Sequence, residues 1–399
     1  MQTVPLIPRT FIERKAGQII DPVERLRYLQ RSAGILQPGL QFSIYWRKRR
    51  LPVLGMALLL VCLLTQGYKV GHKDSHQASS VKPSFSLGSL AHVSAPGAEV
   101  VPDVWLVDKT TDFETYSNGL RIDDRFTAPN QKRLFYPVYQ RSAAIVDIDV
   151  RQPEWRSEPA GIVYHTTESD QARFTADENA RLKRIGKAVI GVVQQNHSYH
   201  FLIDRFGQVF RIVPEEDVAN HAGYSVWAQG SAIFVNLNSS FLGIAFETQT
   251  QRGDLPSANP AQVHAAHVLT EMLRNQYRIP QSSCVTHAQV SVNPDNMLVG
   301  YHTDWAGNFP FLAIGLNDNY TAPSPSIYAF GFDYDPAFIH ATGVRLWQGL
   351  ALAEDQMQTQ AAARGISVSQ YRAILRKKYK EILAALKAAA IANDNNHET

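Results

Sequence analysis

Cysteine is nearly absent: the 399 residues hold two, Cys62 and Cys284. Cys62 lies in an apolar run and Cys284 in the globular part, so no intramolecular disulfide joins them. The fold must stand on its hydrophobic core, which a domain of this size can do. The chain also lacks a strong excess of charge of one sign. Its net charge is +3, with only 19% charged and 45% hydrophobic residues. That is the composition of a globular protein and excludes a disordered one. The basic residues are unevenly spread. The first fifty residues carry ten Lys/Arg and three acids, a net +7, which leaves −4 for the rest. The body is no polycation, and nucleic acid is excluded as its partner.

Long hydrophobic runs are scarce too, with one exception. Arg47-Lys-Arg-Arg50 precedes a stretch without charge from Leu51 to Tyr68. As a helix it spans roughly 27 Å, enough for a hydrocarbon core. The basic cluster ahead of it places the N-terminus in the cytoplasm. The alternatives are a signal peptide and a buried helix. The long preceding tail and the lack of a small-x-small cleavage site speak against the signal peptide. The expected organisation is a cytoplasmic basic tail over residues 1–46 and a single transmembrane anchor over 47–69. A flexible Ser/Pro/Gly-rich linker over 70–100 follows, and then an extracytoplasmic domain over 101–340. Residues 341–399 read as a C-terminal helical extension, its second helix basic on one solvated face (Arg372, Arg376, Lys377 and Lys380).

Within the domain, apolar runs alternate with helical periodicities. Ala143–Val150 and Ala160–Tyr164 read as strands. Thr175–Asn196 reads as a helix with Leu182, Ile185, Val189, Val192 and Val193 facing the core. Tyr199–Asp204 and Gln208–Val213 flank Arg205-Phe-Gly207 as a hairpin. Phe241–Thr248 is a further strand. Asn259 starts a helix that runs to Tyr277, with Val263, Leu269, Met272 and Leu273 facing inward. The predicted fold is α/β, a mixed central sheet flanked by helices.

Two histidines stand at the ends of such elements, and an aspartate lies a short way beyond. His165 ends the run Gly161-Ile-Val-Tyr-His165, His287 follows Val285-Thr286, and Asp304 closes Tyr301-His-Thr-Asp304. A lone strand-end histidine is more often a hydrogen-bonded structural residue than a metal ligand. Two histidines and one carboxylate with no fourth ligand have the composition of a catalytic zinc site, which keeps one position open for water.

The order of these pieces resembles the type 2 N-acetylmuramoyl-L-alanine amidases, whose fold is shared with peptidoglycan recognition proteins and phage lysozyme-like amidases. The matching segments are Ile162-Val-Tyr-His165-Thr-Thr, Tyr199-His-Phe-Leu-Ile-Asp-Arg-Phe-Gly-Gln-Val-Phe-Arg-Ile-Val213 and Asn220-His-Ala-Gly223. Leu242-Gly-Ile-Ala-Phe-Glu247, Thr286-His287 and His302-Thr-Asp304 complete them, and together they span roughly 155–311. The resemblance implies a hydrolase that holds Zn2+ on His165, His287 and Asp304, which the run from Leu51 to Tyr68 would anchor in a membrane. It would cut the amide between N-acetylmuramic acid and L-alanine in peptidoglycan or muropeptides. A binding module on the same fold without catalysis is the other reading.

Two positions depart from the family pattern. A glutamate expected two residues after the strand glycine is Ala245, and Glu247 follows on the same strand face. Glu247 is the expected general base, or else an ordinary polar strand end. Tyr199, which matches a functional tyrosine of the phage branch, offers a second route for the proton. His302 stands where a lysine is common, as the expected oxyanion donor. His221, Tyr224, Trp227 and Asn236 are the expected substrate contacts, and Ser291–Gly300 an inserted loop.

Overall fold

Two strands, β6 (Gly161–Thr166) and β11 (Phe241–Phe246), form the centre of the molecule, and every residue in both is buried. Such continuous apolar runs suit parallel strands covered on both faces, and the two pair in parallel, Phe241 with Gly161 through Phe246 with Thr166. The structure is a computed structural model that describes residues 101–397, apart from 142–147, 149–151, 251–257, 335 and 344–346. The expected basic tail, anchor and linker lie outside the described residues, as does most of the expected strand Ala143–Val150. Among the described residues, no helix is long and apolar enough to cross a membrane.

The remaining strands are β1 (Leu106–Lys109), β2 (Phe113–Tyr116), β3 (Arg121–Asp123), β4 (Tyr136–Gln140), β5 (Glu154–Arg156), β7 (Phe201–Ile203), β8 (Val209–Arg211), β9 (Val226–Gln229), β10 (Ala232–Val235), β12 (Cys284–Thr286), β13 (Val292–Asn293), β14 (Leu298–Val299) and β15 (Asp333–Tyr334). The main sheet runs β1-β2-β3-β8-β7-β11-β6-β12 and is mixed: β7, β11, β6 and β12 are parallel, whereas β7–β8 is antiparallel. A second, antiparallel sheet has the order β5-β4-β10-β9. The expected loop Ser291–Gly300 folds as a β13–β14 hairpin, which β15 extends.

The helices are α1 (Asn179–Asn196), α2 (Pro260–Tyr277), α3 (His287–Val290), α4 (Pro325–Tyr328), α5 (Pro336–Ala341), α6 (Gln348–Ala363) and α7 (Val368–His397). Side chains alternate across the sheet. Ile162, Tyr164, Leu242, Ile244 and Phe246 therefore pack with Leu269, Met272 and Leu273 of α2. On the opposite face Ala245 meets Val189, Ile190 and Val193 of α1. Helix α2 starts on a reciprocal cap between Asn259 and Gln262, with Pro260 in its first turn. Gly207, at the β7–β8 turn, has φ +78° and lies so near α2 that a Cβ would stand 2.6 Å from the Ala261 carbonyl oxygen.

Helix α1 presents its apolar stripe differently from expectation. Leu182, Val189 and Val193 are buried, but Val192 is 57% exposed and Ile185 only partly covered. The helix is rotated so that Gly186 and Ile190 face the sheet. The C-terminal helices α6 and α7 share one core with the second sheet. Val226, Ile233 and Val235 pack in the same cluster as Leu350, Met357, Tyr371 and Tyr379. The expected solvated basic face is only half present. Lys377 and Lys380 are exposed, but Arg372 is buried on Glu354, 2.7 Å away, and Arg376 donates to the Gly331 carbonyl.

Candidate active site

Strand β6 carries His165 on the face that Val163 and, next door on β11, Ala245 also occupy. Strand β12 pairs in parallel with β6 and ends at Thr286, so His287 emerges beside His165 as the first residue of α3. The Thr286 N–H donates to Gln289 Oε1 at 2.9 Å and ties down that turn. Asp304 arrives from the segment after the β13–β14 hairpin, and its carbonyl accepts from the Ala288 N–H. Three elements distant in sequence thus converge.

The convergence is tight. One ligand atom from each of His165, His287 and Asp304 lies within 4.8 Å of the others, and all three residues are buried. His165 Nδ1 stands 3.2 Å from Asp304 Oδ2. His287 Nδ1 stands 2.9 Å from Asp304 Oδ1 and 3.1 Å from Oδ2. Burial, with His287 adding to it, pushes the His165 imidazole down to about 4. Burial opposes ionisation of Asp304, but His287 and His165 together outweigh it and hold the carboxyl well below the usual carboxylate range. A neutral imidazole and an ionised carboxylate are the forms that bind a divalent metal, so these residues could hold zinc.

The cluster opens into a cavity of about 390 Å³, whose lining includes Thr166, Thr167, Glu168, Ser198, Tyr199, Asn220, His221, Asn238 and His302. The Tyr199 ring centroid lies 5.0 Å from that of His165. Burial, then Asp304 and Glu168, raise the Tyr199 phenol, which keeps its proton at neutral pH. The His302 ring stacks on His287 at 4.6 Å and 19°. Burial, then His287, lower its pKa, so it enters the cavity as a neutral imidazole.

Several expected residues are placed elsewhere. Glu247 does not line this cavity. It is 2% exposed, its Oε2 accepts from the Arg205 N–H, and a Cβ on Gly186 of α1 would come 3.1 Å from the same oxygen. The period-2 reading put it on the correct face but one pleat too far along the strand. Trp227 is 2% exposed and gives its indole N–H to the Ser282 carbonyl, so it is a core residue. Asn236 is exposed at a left-handed turn (φ 63°) after β10, and Tyr224 is half-exposed; neither lines the cavity. His221 does line it, but its ring is buried, with one nitrogen 3.1 Å from His165 and the other 3.2 Å from the Phe241 carbonyl.

Sequence reasoning passed over Glu168 and Asn238. Glu168 has φ 49°, an uncommon backbone for this residue type. Its Oε1 accepts from Thr166 Oγ1 at 2.6 Å and from the Thr250 N–H at 2.8 Å. Besides Asp304, it is the carboxylate lining the cavity. Asn238 Oδ1 accepts the N–H groups of His221 and Ala222. The place of Glu168 three residues after His165 was the available signal.

Residues 155–305 match a family model described as N-acetylmuramoyl-L-alanine amidase. Solved structures are also similar. AmpDh3 from Pseudomonas aeruginosa, in complex with anhydromuramic pentapeptide, is 22% identical over 39% of this chain and 58% of its own, with a TM-score of 0.30. This chain thus spans little more than half the length of that protein. The amidase LysC from Clostridium intestinale is 26% identical over 39% of this chain and 83% of its own, with a TM-score of 0.24. AmiD from E. coli, in complex with the substrate anhydro-N-acetylmuramic acid-L-Ala-D-γ-Glu-L-Lys, is 18% identical over 50% of this chain and 89% of its own, with a TM-score of 0.33. No curated protein sequence matches. Residues 155–305 are thus the part of this chain that is similar to the N-acetylmuramoyl-L-alanine amidases.

Proposed function

We propose that the protein is a zinc-dependent amidase that hydrolyses the bond between N-acetylmuramic acid and L-alanine in peptidoglycan or muropeptides. The observation that carries this reading is the buried triad His165, His287 and Asp304, opening into a cavity within the family-matched region. These three residues would hold the ion. Bound zinc supplies Lewis acidity at the scissile carbonyl and a water whose pKa falls to roughly 7.

The chain's own groups do the rest. The Tyr199 phenol, kept protonated by its surroundings, donates from Oη to the oxygen that gains charge as the amide is attacked. His302, neutral and fixed against His287, offers a second donor to that oxygen. Glu168 is pinned through Oε1, so Oε2 takes the proton from the attacking water and returns it to the leaving nitrogen.

We also propose that residues 47–69 anchor the protein in a membrane, with the tail 1–46 cytoplasmic and the amidase domain outside. The basic cluster and the uncharged run from Leu51 to Tyr68 support this. Ala245 is what favours a binding module without catalysis. Incubating purified muropeptide with the zinc-loaded protein separates the two readings. Release of free stem peptide is the expected result; one bound zinc per chain with no product would leave only the binding role.

A further inference from the structure

We infer that His221 is a positioning residue that fixes His165 as the Nε2–H tautomer, so that a bare Nδ1 is turned toward Asp304 and toward a cation held between them. The argument begins at a carbonyl. The Phe241 oxygen can only accept, and His221 Nε2 stands 3.2 Å from it, so Nε2 carries the hydrogen. A neutral imidazole has one N–H, which leaves His221 Nδ1 as an acceptor. His221 is buried, a setting that disfavours the imidazolium. His165 Nε2 lies 3.1 Å from that acceptor and must therefore be the donor. His165 Nδ1 then has no hydrogen, yet it stands 3.2 Å from Asp304 Oδ2. Two acceptors facing each other at that distance repel unless positive charge lies between them.

The His221 backbone and the space for its ring are both fixed. Asn238 Oδ1 takes its backbone N–H at 2.9 Å and that of Ala222 at 2.6 Å. Gly243 leaves room for the ring, since a Cβ there would come 2.7 Å from His221 Cγ. Gly243 is itself fixed, its N–H donating to His200 Nδ1 at 2.9 Å. The ring is thus set by the β11 backbone, which in turn sets which nitrogen of His165 faces the site. A partner of this kind orients a ligand and selects its tautomer.

The metal half of this inference rests on the zinc reading above; the tautomer half does not. Zinc affinity of the full-length, detergent-solubilised chain is measured by chelator competition for wild type, His221→Phe and His221→Asn. The Phe variant is expected to bind zinc about 10 to 100 times more weakly, and the Asn variant, whose Oδ1 replaces the Nδ1 acceptor, to recover to within about threefold of wild type. Equal affinity in wild type and the Phe variant, or an Asn variant as weak as Phe, overturns the inference. Nitrogen-15 histidine spectra of the metal-free wild type read the tautomer directly, with His165→Asn identifying the signal. Nε2–H with a bare Nδ1 supports the inference, and Nδ1–H overturns it. Those spectra decide the matter if the Phe variant does not fold. They also decide it if wild type binds no zinc, the result that would sink the zinc reading alone.

Discussion

Ala245 lies directly beside His165 across the parallel pair β11–β6, and Glu247 lies one pleat further along the same face, beneath α1. The position nearest the site therefore holds a methyl group. The carboxyl that follows it is closed off by the helix and tied to the Arg205 N–H. Proton handling must come from elsewhere in the cavity wall.

Removing a triad side chain should abolish both metal and turnover. His165→Ala and Asp304→Ala are each expected to purify with less than stoichiometric zinc and no amidase activity. Elemental analysis beside a muropeptide assay checks this. Full activity in either variant would remove that residue from the ligand set.

Tyr199→Phe and Glu168→Gln should keep the zinc and lose rate. A positioned proton donor or acceptor contributes about 10²- to 10⁴-fold. Turnover is expected to fall by that order with unchanged metal content. A Glu168→Gln enzyme as fast as wild type would clear Glu168 of the base role.

Glu247→Gln should instead change stability. Burial raises the Glu247 carboxyl from its ordinary 4.5 to about 7. The folded state binds this proton more tightly than the unfolded chain. The associated stability is fully present below about pH 4.5 and is lost as pH rises through about 7, a swing of about 3 kcal/mol. Glutamine cannot ionise, so the variant is expected to flatten the pH dependence between 5 and 8 while turnover stays close to wild type. Urea midpoints at those two pH values decide it. Parallel curves for the two proteins would mean that Glu247 is not the titrating group.

Glu354→Ala tests whether the C-terminal helices unfold with the rest. Glu354 is 1% exposed and accepts from Arg372 at 2.7 Å and from the Tyr334 hydroxyl at 2.6 Å. Removing it strands a buried guanidinium, at a cost of about 3 to 5 kcal/mol. One cooperative transition at a lower midpoint is expected, since α6 and α7 share a core with the second sheet. A separate early transition confined to α6 and α7 would show that they unfold by themselves.

Deleting residues 51–68 is expected to move the protein from the membrane fraction to the supernatant. Recovery of the intact chain wholly in the soluble fraction would overturn the anchor.

The local pattern of the sequence determined much. Continuous apolar runs specified β6 and β11, because parallel strands covered on both faces need no polar side. The Asn259-Pro-Ala-Gln262 signal specified the start of α2, because its cap is made within four residues. His165, His287 and Asp304 were legible as candidate ligands because the two histidines follow apolar runs and the three side chains together suit one ion. Tertiary structure alone decided the rest. Glu247 is on the predicted face, but its access depends on where α1 crosses. The rotation of α1 depends on Gly186 fitting over that carboxyl. Trp227 and Arg372 are buried by chain far away in sequence, which no local period records. The role of His221 was hidden for the same reason: a ring nitrogen is donor or acceptor according to what it faces, and both of its partners, His165 and the Phe241 carbonyl, are brought to it only by the fold.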